Sequence, residues 1–139
     1  MNGRWIRVAL IAAVGISVPT RSEAVQSPRA PKLIVHNAQR VYHPSVLNEQ
    51  KAYRKVGAVT SRKVFDATAE YKAIQKRKLS PKTAEWNLLV KAASDKFKTA
   101  VSRTASAGGY DVIAETGAVA FDEGAVPDIT SDILSHLAD

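Results

Sequence analysis

The sequence predicts an α+β fold: a small β-rich body assembled from the two ends of the chain, with a helical hairpin inserted between them. Three observations carry this reading. Apolar runs suited to strands sit at residues 32–35 and 110–121, one on each side of a long polar middle. From residue 45 to 79 there is no proline and one glycine, Gly57, a composition that suits helix. Ser80 and Pro81 then punctuate the run before a second stretch of helical spacing, so two nearly contiguous helices must fold back on each other.

The chain has 139 residues, 45% hydrophobic and 24% charged, which suits one domain of modest core and excludes a multidomain enzyme. No apolar run reaches the roughly 18 residues of a bilayer-spanning helix. Residues 1–24 read as a secretory signal peptide: Arg4 and Arg7 precede an apolar stretch at 8–18, Pro19 follows, and Ser22 and Ala24 precede a cut before Val25. The mature chain is then 25–139, and 25–31, with Pro28 and Pro31, is a flexible tether. An exported chain without cysteine must take its stability from packing.

Each element has a local reason. Leu33, Ile34 and Val35 make one strand, Asn37 can cap a short turn at 38–42, and Pro44 ends it. The first predicted helix, within 45–79, has a four-three seam from Val46 through Tyr53, Gly57, Val64, Tyr71 and Ile74 that is apolar at only about half its positions. At about 1.5 Å per residue it would be roughly 50 Å long. The second helix has the cleaner seam of Trp86, Val90, Ala93, Phe97 and Ala100, and ends at Gly108 and Gly109. Residues 110–114 and 118–121 alternate as strands around a turn at 115–117, and 128–130 suits a further short strand. Thr130 or Ser131 then caps a last helical turn with Ile133, Leu134 and Leu137.

The sheet-bearing body, 32–43 with 108–139, is near the size of about 40 residues below which a lone chain needs disulfides, metal or self-association. The histidines His36, His43 and His136 offer no metal pair on one helix face, and Asp122 and Glu123 lack the opposed geometry of an acid and base pair. No cofactor and no enzymatic activity are expected, and oligomerisation is. Charge is unevenly placed: residues 29–103 hold 17 basic and five acidic residues, whereas 104–139 hold seven acids and no Lys or Arg.

The run Asp111, Val112, Ile113, Ala114, Glu115, Thr116, Gly117, Ala118, Val119, Ala120, Phe121, followed by Asp128, Ile129, Thr130, Ile133 and Leu134, resembles the end of the OmpH-like (Skp) family of periplasmic chaperones. The strand and turn of residues 32–42 look like that family's start. The resemblance implies a homotrimer whose small β-barrel body, formed by trimerisation, carries long antiparallel helical hairpin arms, here residues 44–107. It implies an ATP-independent periplasmic holdase that binds unfolded outer-membrane proteins and prevents their aggregation. The trimer body would include Leu33, Val35, Val112, Ile113, Val119, Phe121, Ile129 and Ile133.

On this reading the arm tip gathers Lys72, Lys76, Arg77, Lys78 and Lys82, and clustered positive charge there attracts clients or an anionic membrane surface; the competing account is a solvated helix end. Tyr53, Tyr71, Trp86 and Phe97 zip the hairpin, and Leu47, Phe65 and Leu89, off the strict seam, are the apolar client contacts. Two other classes stand beside it. A basic nucleic-acid-binding protein accounts for the charge, but the signal peptide disfavours nucleic acid as partner. A structural coiled-coil envelope protein is disfavoured by the interrupted first seam.

Overall fold

A computed structural model of the chain describes residues 31–48 and 50–137; the expected signal peptide and nearly all of the tether lie outside them. The strands are β1 (Leu33–Val35), β2 (Val41–His43), β3 (Val56–Val59), β4 (Val112–Glu115) and β5 (Val119–Phe121). The helices are α1 (Ser61–Ala67), α2 (Ala69–Arg77), α3 (Ala84–Gly108) and α4 (Thr130–Ser135). A 3₁₀ turn, Ala38–Arg40, joins β1 to β2, and Asn37 caps it by accepting from the Gln39 N–H.

The strands form two open sheets, not a closed barrel. In one, β1 and β5 make an antiparallel ribbon with Ile34 opposite Ala120. In the other, β4 is central, antiparallel to β2 and parallel to β3, with Val56 opposite Val112 and Val59 opposite Glu115. A parallel pair needs a crossover of a dozen or more residues, and α1 to α3 supply it. The other edge of β3 is engaged too, since the Ala58 N–H donates to the Pro127 carbonyl and the Ile129 N–H to the Ala58 carbonyl, both at 2.8 Å.

Period-two alternation makes the three-stranded sheet a partition between two cores. Ile113 and Val59 face the helices and pack with Val64, Phe97, Ala100, Val101, Ala105, Ile129 and Ile133. Val56, Val112 and Ala114 face the ribbon and pack with Tyr53, Ala118 and Val119. Phe97 anchors the first core: its ring stacks on Phe65 at 5.1 Å and meets Tyr42 edge-on at 4.9 Å.

This architecture corrects the expected trimeric barrel with long arms. The sheets are open and the longest helix among the described residues is α3, with 25 residues. No single helix spans 45–79: that stretch holds β3 and then two short helices, and helix begins only at Ser61. The half-apolar seam there was the trace of this change of period, because Val56–Val59 is buried on both faces as parallel strands are. The small-body argument for self-association loses its basis, since α3 closes the first core within one chain. Val112, Ile113, Val119, Ile129 and Ile133 are buried in that single chain, Leu33 and Phe121 pack partly against its second core, and Val35 is exposed.

Candidate binding surface: a basic hairpin tip and an apolar ribbon edge

The end of the crossover is a short hairpin built by identifiable local chemistry. Thr68 is extended (φ −67°, ψ 144°) and separates α1 from α2; its hydroxyl donates to the Phe65 carbonyl at 2.7 Å and accepts from the Tyr71 N–H at 3.1 Å. Helix α2 stops at Lys78, a left-handed residue (φ 49°, ψ 45°) whose N–H reaches back to Gln75 and Ile74. The cap of α3 is Thr83, whose hydroxyl accepts from the Trp86 N–H at 3.2 Å; the expected start at Ser80 and Pro81 is instead the connecting turn.

Two ion pairs tie the hairpin. Arg77 clamps Glu85 across the turn with both guanidinium nitrogens, one contact being 2.9 Å. Lys96 lies 2.6 Å from Glu70, and its hydrogen bond holds the Glu70 carboxyl below the usual carboxylate range. Ile74 and Ala93 are buried between the helices.

Of the five basic tip residues, Arg77 thus has a structural task. Lys72, Lys76, Lys78 and Lys82 are exposed, and among the described residues none of them is held in an ion pair. From Ser61 to Gly108 the chain carries eleven basic and four acidic residues. Close in sequence to these lysines, in the second turn of α3, Leu88 is 68% exposed.

The expected apolar contacts divide. Leu47 packs partly against the second core, Phe65 is half-buried on Phe97, and Leu89 is half-buried on α3. Of the supposed hairpin zip, Tyr53 lies outside the hairpin altogether, buried in the second core with its hydroxyl accepting from the Asn48 N–H at 2.7 Å. Among the described residues the exposed large apolar side chains are instead Leu88, Val46 (80%), Ile34 and Val35 (40% each). Leu88 carried a signal: two positions from both Trp86 and Val90, it falls about 200° from the seam.

Beside the ribbon runs a cleft of about 620 Å³ between β1 and residues 47, 48 and 50–53. Leu33, Val35, Leu47 and Tyr53 give it apolar walls, and Lys32 and Lys51 supply positive charge. Reading for motifs could not find this cleft, because it depends on β1 pairing with β5, nearly ninety residues on.

Among the described residues no three His, Asp or Glu side chains gather as metal ligands. His136 is engaged structurally, its Nδ1 lying 3.1 Å from Thr104 Oγ1 and 3.0 Å from the Asp132 carbonyl. Asp122 accepts from the Lys32 N–H at 2.8 Å. No described helix is long and apolar enough to cross a membrane. The fold and this surface define a small α+β protein with a basic hairpin and an apolar strand, β1, that pairs with β5 along one edge only. No family model, curated protein or solved structure matches the chain.

Proposed function

We propose that this chain is an exported, ATP-independent holdase that binds unfolded outer-membrane proteins and delays their aggregation. The observation that carries the reading is the distribution of grip: four uncommitted lysines at the hairpin tip, with Leu88 nearby in sequence, and separate apolar footholds at Val46, Ile34 and Val35. Dispersed contacts of this kind hold an unfolded chain without imposing one conformation. Support also comes from the resemblance of residues 111–121 and 128–134 to the end of OmpH-like chaperones and from the signal-type segment at 1–24. The reading does not require a trimer, because the cores close within one chain.

The test is dilution of a urea-unfolded outer-membrane protein into the purified mature chain, followed by light scattering. Suppressed scattering at sub-equivalent to equivalent ratios is the expected result. Unchanged scattering together with tight, salt-sensitive DNA binding near physiological salt would favour the nucleic-acid reading, which the excess of eleven basic over four acidic hairpin residues also motivates.

A further inference from the structure

The ribbon exposes a strand edge with a defined pattern. The Lys32 carbonyl accepts from the Asp122 N–H at 3.1 Å and the His36 N–H donates to the Ala118 carbonyl at 2.9 Å. With Ile34 opposite Ala120, alternation turns the backbone of residues 32, 34 and 36 toward β5. It turns the N–H and C=O groups of Leu33 and Val35 the other way, and among the described residues no partner satisfies them. The same two residues line the cleft together with Leu47 and Tyr53.

Such an edge invites a further strand; Pro31, Lys32 and its three-residue length restrict β1 to a short partner, but within Leu33–Val35 there is no proline, bulge or charge to block one. A second ribbon would have to enter a cleft already walled by residues 47, 48 and 50–53, whereas one extended chain needs only its own width. Lys32 and Lys51 are the charged groups among the described lining residues, so the complementary occupant carries carboxylate. The geometry points to β1 as a strand-addition site that takes an extended, alternating apolar segment with an acidic end from an unfolded client, pairing with the free backbone groups of Leu33 and Val35. This deepens the holdase reading and rests on it for the identity of the client.

The probe is a short fluorescein-labelled peptide alternating valine with threonine and ending in two aspartates, followed by anisotropy with the full mature chain. Val35→Pro removes the outward N–H and leaves the β5-facing bonds of Ile34 and His36 in place, so it should weaken binding about tenfold with an unchanged circular dichroism spectrum. A peptide N-methylated at the positions facing β1 should lose affinity similarly on the unaltered protein, which decides the matter should the proline variant unfold. Lys51→Glu should weaken the acidic probe and spare one ending in two lysines.

Absence of binding by the parent peptide, or equal affinity for the parent and N-methylated peptides, overturns strand addition. A dimer in sedimentation that Val35→Pro dissociates assigns the edge to a second copy and overturns it equally. Aggregation suppression that survives Val35→Pro while peptide binding is lost overturns an unfolded client as the occupant and leaves the holdase reading standing; no suppression by the unaltered chain, with its peptide binding intact, rejects the holdase reading alone.

Discussion

Ile129 occupies the space that a side chain on Gly57 would need: a Cβ there would lie 2.4 Å from Ile129 Cδ1 and 2.8 Å from its Cγ1. The glycine lets the chain that follows β5 pair along β3 and lay its isoleucine flat on the strand. Gly57→Ala should therefore cost about 1–3 kcal/mol, since Ile129 is branched and walled in by core. Urea denaturation measures it, and an unchanged midpoint would mean that Ile129 swings aside freely.

Asp111 binds the start of β3 to the end of the hairpin by accepting from the Arg54 and Lys55 N–H groups at 2.8 and 3.0 Å. The Lys55 and then the Arg54 backbone bonds hold its carboxyl below the usual carboxylate range. A depressed folded value means stability that is full above the ordinary carboxylate pKa and is lost as pH falls through the lower one. Asp111→Asn keeps an acceptor and removes the charge, so it should cost about 1 kcal/mol at neutral pH. The difference should fade below about pH 4. Thermal melts of both proteins across that range check it; parallel curves would assign the acid transition elsewhere.

Lys78 adopts a conformation that suits glycine, at φ 49°. Lys78→Gly should raise stability by about 0.5–1 kcal/mol, read as a higher melting temperature. A fall would show that the aliphatic stem of Lys78 contributes more than its backbone strain removes.

Replacing Lys72, Lys76, Lys78 and Lys82 by Gln, while sparing the Arg77 clamp on Glu85, should slow client capture at low salt with little change in melting temperature. The two proteins should converge as salt is raised. Capture unaffected at low salt would make the tip an ordinary solvated helix end.

Much of this architecture was legible where the determinants are local. Branched residues announced β1 and β4, and the seam from Trp86 to Ala100 with Gly109 beyond it announced α3 and its stop. Strand β3 was hidden because Gly57 and Ala58, both poor strand formers, break the signal of Val56 and Val59, and the segment becomes a strand through pairing with residues 112–115. The closing of the cores likewise depended on Phe97 meeting Tyr42 and Phe65, contacts that no single window contains. The tip lysines could be seen as a charge cluster; the Leu33 and Val35 edge could not, since which backbone groups stay free depends on the partner strand.

The crossover between β3 and β4 separates reach from architecture. Both of its ends are fixed by the parallel pair, while the turn near Lys78 touches neither sheet's ladder. Whole turns added in matching numbers to α2 and α3 would carry the lysines outward and leave the registers of β3 and β4 unaltered, at a loop-closure cost that grows only with the logarithm of length. Span is therefore the dimension in which this scaffold can drift or be engineered most cheaply, and a ladder of hairpin lengths on one unchanged base would turn it into a molecular ruler.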